Sequence, residues 1–314
     1  MRVFRSTAAL AIGLALACRG QIDIQPRPKR PGNQGKEPPP TLRVDTNLVL
    51  VPVAVSDAMN RTVTGLEKEN FQLFDNGVEQ TVTQFARDDE PIAVGFVFDA
   101  SGSMGAKLNR SRLAAREFFT TGNPEDEFFL VEFDSSPKLV VPLTRDIGDI
   151  ENQVLFSRSH GSTALLDAVI LALGEIRKSA KNKKALLLIS DGGENHSRYS
   201  ERELRNALRE SEALIYAMGV FGGGRTGEEM GGPALLTEIA EQTGGRMLSA
   251  GWSEIPDVAR AISLELRNRY VLGFSPRSLR RDGLYHRLQV KIVSPRGMPR
   301  LRAHWRTGYY APMQ

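Results

Sequence analysis

The stretch that decides the fold of this chain reads Ile92-Ala93-Val94-Gly95-Phe96-Val97-Phe98-Asp99-Ala100-Ser101-Gly102-Ser103. Its uninterrupted apolar run over 92–98 predicts a buried strand, because strands that are covered on both faces are apolar throughout. A carboxylate at Asp99 and hydroxyls at Ser101 and Ser103 follow directly. Ligands of open α/β sheets bind outside the carboxyl ends of the strands, so the sequence predicts a binding loop here.

Strands and amphipathic helices alternate after Pro91. This alternation predicts an α/β domain over 91–266, with a doubly wound, mostly parallel, Rossmann-like sheet and helices on both of its faces. The predicted strands lie at 92–98, 128–133, 185–189 and 214–220, and the predicted helices at 108–121, 164–178, 201–211, 233–243 and 255–266.

The segments on either side of this domain alternate between apolar and polar residues instead. Residues 41–88 predict a small antiparallel β unit with a hairpin turn at Asp75-Asn76-Gly77, and residues 270–310 predict three further strands. We interpret the two segments as a flanking antiparallel β unit that pairs beside the α/β domain.

The composition sets limits on the class of protein. The 314 residues are 41% hydrophobic and 25% charged, which is typical of globular domains, and the formal net charge of +4 argues against nucleic-acid binding by the chain as a whole. The charge is uneven, because eleven Arg and Lys stand against one Asp from Arg267 onward. We interpret this basic segment as a solvated face of β structure, with a surface for anionic partners as the alternative.

The N-terminus predicts export. Two arginines precede an apolar run over 8–17 that is too short to span a bilayer and is typical of a signal peptide. The sequence Leu14-Ala15-Leu16-Ala17-Cys18 resembles a bacterial lipobox, so residues 1–18 are interpreted as a signal peptide with lipidation at Cys18. The Pro-rich segment 19–40 is then a tether. This places the protein in the periplasm or at the cell surface, with plain secretion as the alternative.

Two further loops supply polar side chains at the same predicted sheet edge. Thr163 stands just before the predicted helix at 164–178, and Asp191 follows the apolar strand at 185–189. With Asp99, Ser101 and Ser103, they form a set of two carboxylates and three hydroxyls. Oxygen ligands suit a hard cation such as Mg²⁺, with Mn²⁺ or Ca²⁺ as alternatives. Such a set leaves a coordination position for an outside group, for which we expect a partner's carboxylate.

The order of these three loops resembles the metal-ion-dependent adhesion site of von Willebrand factor type A (VWA) domains, over residues 91–266. The flanks, with Phe71-Gln72-Leu73-Phe74-Asp75-Asn76-Gly77 and Tyr270-Val271-Leu272-Gly273-Phe274, resemble bacterial proteins related to this family. The resemblance implies a non-enzymatic adhesion-type module that binds an Asp or Glu of a protein partner through the metal. It also implies that Ser101, Ser103 and Thr163 are direct ligands, while Asp99 and Asp191 act largely through water.

Three alternatives stay open at this point. Ser103, Asp191 and His196 follow the chain order of a serine hydrolase triad, although Ser101 stands where the first glycine of a nucleophile elbow belongs. The basic segment is a candidate for binding polyanions. A bound metal with a purely structural role is the third alternative.

Overall fold

The computed structural model describes residues 48–88, 90–221, 230–249, 254–276 and 283–311. In these ranges the strands are β1 (Val49–Ser56), β2 (Phe71–Asp75), β3 (Val78–Gln80), β4 (Gln84–Asp88), β5 (Ile92–Asp99), β6 (Glu127–Phe133), β7 (Pro137–Thr144), β8 (Lys183–Ser190), β9 (Leu214–Gly219), β10 (Met247–Ser249), β11 (Arg269–Phe274), β12 (Tyr285–Ile292), β13 (Arg302–Trp305) and β14 (Gly308–Tyr310). The helices are α1 (Leu108–Phe119), α2 (Ile147–Phe156), α3 (Leu165–Ile176), α4 (Glu201–Glu210), α5 (Gly232–Thr243) and α6 (Ile255–Arg267).

A six-stranded sheet in the order β10-β9-β8-β5-β6-β7 forms the centre of the α/β domain. Strand β5 pairs in parallel with β6 on one side and with β8 on the other, and only the edge strand β7 runs antiparallel. This arrangement confirms the predicted doubly wound, mostly parallel sheet. All eight residues of β5 are buried, and the first seven of them are the apolar run 92–98 that predicts a buried strand.

Helices cover both faces of the central sheet, and each face has its own core. Phe96 and Phe98 point to the face that is covered by α1, α2 and α6. Ala93 and Val97 point to the opposite face, which is covered by α3, α4 and α5. The alternation along β5 therefore divides one apolar run between two cores, because successive side chains of a strand point to opposite faces.

Helix α2 is absent from the sequence-based expectations. Asp146 caps its first turn by accepting a hydrogen bond from the backbone N–H of Gly148 at 2.9 Å. Ile150 and Val154 are its fully buried residues, while Leu155 and Phe156 at its end are exposed. With only one short buried stripe and a glycine in the first turn, this helix has a weak apolar period in the sequence.

Two antiparallel sheets form the flanking unit, in the orders β13-β1-β11-β4 and β14-β12-β2-β3. They share one hydrophobic core, to which Val53, Leu73, Leu272 and Val290 contribute from four different strands. Strand β1 lies between β11 and β13, so N-terminal and C-terminal strands alternate in the first sheet, while the pairing of β2 with β12 joins an N-terminal and a C-terminal pair of strands in the second. This confirms the fold class predicted for the flanks.

The predicted signal peptide at 1–18, Cys18 and the tether at 19–40 lie outside the described residues. In the ranges that are described, no helix combines the length and the apolar character needed to cross a membrane.

A buried polar network connects the flanking unit to the α/β domain. The guanidinium of Arg246 donates to the Glu265 carboxylate, and the Tyr216 hydroxyl donates to the same carboxylate at 2.8 Å. Arg246 also donates to the side-chain oxygen of Asn60 at 2.9 Å, in the turn that follows β1. Burial raises the pKa of Tyr216 well above its usual value, so its hydroxyl stays protonated and donating.

We expect the substitution Glu265→Gln to lower the free energy of unfolding by about 3–5 kcal/mol, because it leaves the buried Arg246 charge without its counter-charge. Glu117→Gln is the matched control, since Glu117 forms an ion pair with Arg260 near the surface, at 3.0 Å. That change should cost less than about 1 kcal/mol. Chemical denaturation of both variants measures the difference, and equal losses would show that the buried network contributes no more than a surface pair.

Candidate metal-binding site

The loops that follow β5 and β8 meet at the carboxyl edge of the central sheet. Phe98 of β5 pairs with Ile189 of β8, so Asp99 and Ser190 are neighbours at the ends of adjacent strands. The Ser190 hydroxyl donates to Oδ2 of Asp99 at 2.5 Å. The Asp99 carboxylate is fully buried, and its position is fixed by the strand from which it projects.

The first loop presents its two serines side by side. The backbone N–H of Ser101 donates to Oδ1 of Asp99 at 2.9 Å, which turns the chain away from the strand. The hydroxyls of Ser101 and Ser103 lie 3.1 Å apart. Ser101 is buried and Ser103 is exposed, so this row of oxygens runs from the interior to the surface.

The second loop, which carries Thr163, is held by backbone contacts to its neighbours. The carbonyl of Gly161 accepts from the N–H of Gly102 at 3.1 Å, and the N–H of His160 donates to the carbonyl of Ala100 at 2.9 Å. Gly161 has a φ of +73°, and a Cβ there would lie 2.5 Å from the Ser135 hydroxyl, so only glycine fits this turn. These contacts fix Thr163 beside the first loop.

The third loop places Asp191 close to Thr163. The N–H of Gly193 donates to Oδ1 of Asp191 at 3.0 Å. A Cβ added to Gly193 would lie 3.3 Å from that oxygen and 3.6 Å from Oγ1 of Thr163, so the two ligand candidates flank a gap of about one small group. Asn195 locks the second and third loops together, because its side-chain oxygen accepts from the N–H of Thr163 at 2.9 Å.

The five side chains singled out in the sequence are thus brought together at one edge of the sheet. Hydrogen bonds connect Asp99, Ser101 and Ser103. Asp191 and Thr163 both lie close to the position of a Cβ added to Gly193. All the candidate ligand atoms are oxygens, which fits a hard divalent cation. Among the residues that the structure describes, no three His, Cys, Asp or Glu side chains gather as a metal-binding group, and the candidate set has two carboxylates. Its ligand role stays a prediction.

Two buried carboxylates, Asp99 and Asp191, interact electrostatically at this edge of the sheet. Burial, together with the nearby charge of Asp191, raises the pKa of Asp99 to about 7. Both effects disfavour the ionised form of Asp99 in the free protein. A divalent cation would offset the repulsion between the two carboxylates. The electrostatics of the site therefore fit the same kind of ion as its oxygen ligands.

Lys107 is the site residue that the sequence reasoning missed. It lies eight residues beyond Asp99, just before α1, and is only 6% exposed. Its ammonium donates to Oδ2 of Asp191 at 2.7 Å. The sequence shows a lysine four residues beyond Ser103. Nothing in the sequence indicates that the side chain of this lysine is buried.

The serine hydrolase alternative gains no support from this geometry. His196 is exposed, and within the described ranges its ring forms no hydrogen bond with Ser103 or Asp191. Its backbone N–H donates to the carbonyl of Thr163 and to the carboxylate of Glu194. Asp191 is instead bound to Lys107, so the members of a catalytic relay are not aligned.

Comparison with known proteins agrees with the fold. Residues 94–194 match the family model described as von Willebrand factor type A domain. These residues of the chain are thus similar to VWA domains, and the doubly wound sheet that contains them agrees with the match.

The relatives found among curated and solved proteins are distant. Inter-alpha-trypsin inhibitor heavy chain H4 of Bos taurus is 26% identical over 142 residues, which are 40% of this chain and 16% of that protein. A protein of Borreliella burgdorferi described only as uncharacterized is 26% identical over 179 residues, which are 49% of this chain and 52% of that protein. The chain therefore spans about half or less of the length of these relatives.

A solved structure, described as von Willebrand factor type A from Catenulispora acidiphila, superposes with a TM-score of 0.50 at 14% identity. The superposition covers 78% of this chain and 73% of that one. At this identity it supports the fold alone.

We expect Lys107→Met to lower the free energy of unfolding in the presence of EDTA by about 3–5 kcal/mol, because the Asp191 carboxylate then loses its buried counter-charge. Lys138→Met is the control, since Lys138 is exposed on β7. Urea denaturation of both variants measures the effect. A loss in Lys107→Met no larger than that in the control would contradict the role assigned to this ion pair.

Proposed function

We propose that the protein is an exported, non-enzymatic binding module that holds a divalent cation, Mg²⁺ in the first place, and binds an acidic side chain of a protein partner through it. The observation that carries this proposal is the convergence of Asp99, Ser101, Ser103, Thr163 and Asp191 at the edge of the sheet. Domains of the matched family are typically adhesion or protein-interaction modules, which supports the same function.

Each residue has a role that its contacts support. The hydroxyls of Ser101, Ser103 and Thr163 are the proposed direct ligands, since the two serines lie side by side and Thr163 faces Asp191 across the gap. Asp99 and Asp191 are already bound by backbone N–H groups and by Ser190 and Lys107, respectively. Their proposed role is to hold water and to supply negative charge rather than to occupy every ligand position.

The site faces solvent on the side where a partner would approach. Ser103, His160 and Asn195 are exposed around it, one from each of the three loops. When bound, the cation supplies an electrophilic position for a carboxylate oxygen of the partner. The rigid loops keep the protein ligands in place, so binding the partner requires little reordering of this edge.

The location of the protein is proposed from the sequence. The predicted signal peptide and the lipobox at Cys18 support export with a lipid anchor, and the Pro-rich segment 19–40 supports a spacer between the membrane and the module. Partner binding at the periplasmic or outer face of a membrane follows from this placement.

Calorimetry with MgCl₂ tests the metal site most simply. We expect saturable binding to wild-type protein and an Mg²⁺ affinity at least about tenfold lower for Ser103→Ala. Loss of a residue that only hydrogen-bonds to a metal ligand already lowers metal affinity by about 10–100-fold. Ser136→Ala is the matched control, an exposed serine in the turn between β6 and β7, and should bind like wild type. No Mg²⁺ or Mn²⁺ binding by folded wild type, or equal affinities in the two variants, would contradict the proposal.

The gap beside Gly193 provides a second test. The methyl group of Gly193→Ala should occupy the space between Asp191 and Thr163, so we expect the Mg²⁺ affinity to fall by about tenfold or more with the fold intact. In the control Gly174→Ala, on α3, the added Cβ has no atom within 4 Å. That variant should keep its Mg²⁺ affinity, and an unchanged affinity in Gly193→Ala would place the cation elsewhere.

A pull-down from envelope extracts tests the partner. Capture by immobilised wild-type protein should be lost in EDTA and in Ser103→Ala, and retained in Ser136→Ala. Capture that survives EDTA would exclude the metal-mediated mechanism for that partner. It would favour binding through the basic C-terminal segment instead.

A further inference from the structure

A cleft of about 650 Å³ lies at the end of the central sheet opposite to the metal-binding edge. One wall is the outer face of β1, β4 and β11, and the other is formed by the first residues of β8 and β9. Strand β8 has eight residues and runs from Lys183 in this cleft to Ser190 at the candidate metal site. The two sites are therefore about 23 Å apart along the strand.

Arg269 lies in this cleft and is only 2% exposed. Its Nε and Nη2 atoms have no hydrogen-bond partner among the residues that the structure describes. A guanidinium keeps its charge in proteins, and a buried charge without a partner is costly. The alternation of β11 explains its position: Tyr270 and Leu272 point into the core of the flanking unit, so Arg269 and Val271 point to the opposite side.

The charges around Arg269 favour an anion. Lys183 is buried, Lys184 and Arg306 are half-buried, and all three line the cleft. The acidic lining residues in the described part of the chain, Glu90 and Glu212, are exposed at its mouth. Cationic side chains thus outnumber acidic ones in the described lining of the cleft. Planar N–H groups of arginine suit the oxygens of a carboxylate or a phosphate.

Half of the remaining lining residues are apolar. Leu50, Pro52, Ala86 and Val271 come from the strands of the flanking unit, and Leu214 comes from the start of β9. Leu50 is 52% exposed, so this apolar wall is open to solvent at its outer end. The volume lies within the range of about 300–1,000 Å³ that is usual for small-molecule sites.

We propose that this cleft is a second binding site, which takes a small organic anion with its carboxylate or phosphate head on Arg269 and a short apolar body against Leu50, Pro52 and Val271. The proposal goes beyond the metal-dependent function and does not rest on it. In this arrangement the anionic head binds the Arg269 guanidinium, whose Nε and Nη2 have no hydrogen-bond partner in the described part of the chain, and the apolar body covers the exposed wall.

Calorimetry with three probes tests both halves of the proposal. Hexyl phosphate carries the head and the body, inorganic phosphate only the head, and hexanol only the body. We expect hexyl phosphate to bind wild-type protein about tenfold or more tightly than either of the other two. EDTA is present throughout, so the outcome is independent of the metal site, and failure here leaves the metal proposal standing.

Arg269→Met is the decisive variant, because methionine keeps an apolar side chain of similar length and removes the charge. It should lose hexyl phosphate binding by about tenfold or more, while Arg302→Met, an exposed arginine on β13, keeps it. Arg306→Met should weaken it as well, since Arg306 lines the same cleft. Thermal unfolding of the free protein adds a second readout: Arg269→Met should be at least as stable as wild type.

Several results would overturn this inference. In the first two, wild-type protein binds no hexyl phosphate, or binds inorganic phosphate as tightly as hexyl phosphate. In the others, Arg269→Met binds hexyl phosphate as tightly as wild type, or Arg302→Met loses as much hexyl phosphate affinity as Arg269→Met. A marked loss of stability in free Arg269→Met would show that the guanidinium is a structural group, and would also contradict the proposal.

Discussion

Two carboxylates are buried at the ends of two adjacent strands, and much of the local structure serves to make this arrangement stable. Asp99 ends β5, and Asp191 follows the end of β8, its neighbour in the sheet. Burial and the nearby charge of Asp191 both disfavour the ionised form of Asp99. Backbone N–H groups, the Ser190 hydroxyl and the Lys107 ammonium bind the two carboxylates. A divalent cation is the further partner that we propose for them.

Hydrogen bonds hold the three loops together. The candidate ligand oxygens come from three separate segments, and each loop is bound to another by backbone or side-chain hydrogen bonds. Glu194 and Ser197 of the third loop also accept from the N–H of Leu166, in the first turn of α3. A change in one loop is therefore felt by the others, and the exposed Ser103 is the ligand candidate that can be altered with least effect on the fold.

The flanking unit supplies one wall of the cleft that we propose as a second binding site. Helix α6 ends at Arg267 and β11 begins at Arg269, so the α/β domain continues into the antiparallel sheets almost without a loop. The Arg246–Glu265 pair fixes this connection. Because β11 enters the flanking unit at this point, Arg269 faces the base of the central sheet, where cations line the cleft. The strands thus separate an acidic edge from a basic one.

The sequence carried enough information for the fold class and for the grouping of the candidate ligands, because apolar strands followed by polar loops have few arrangements in a doubly wound sheet. Other features depended on contacts between distant residues. Helix α2 has too short an apolar stripe to stand out. The inward turn of Lys107 depends on Asp191, 84 residues away. Arg269 belongs to no sequence motif, and its burial follows from the position of β11 between the N-terminal strands β1 and β4.

Crystals grown with MnCl₂ provide the most direct test of the central claim, through the anomalous scattering of the metal. We expect an anomalous peak at bonding distance from the hydroxyls of Ser101, Ser103 and Thr163, with Asp99 and Asp191 beside it. The absence of such a peak from well-ordered crystals, with Lys107 still bound to Asp191, would contradict the proposed site, as would a peak at another position on the protein.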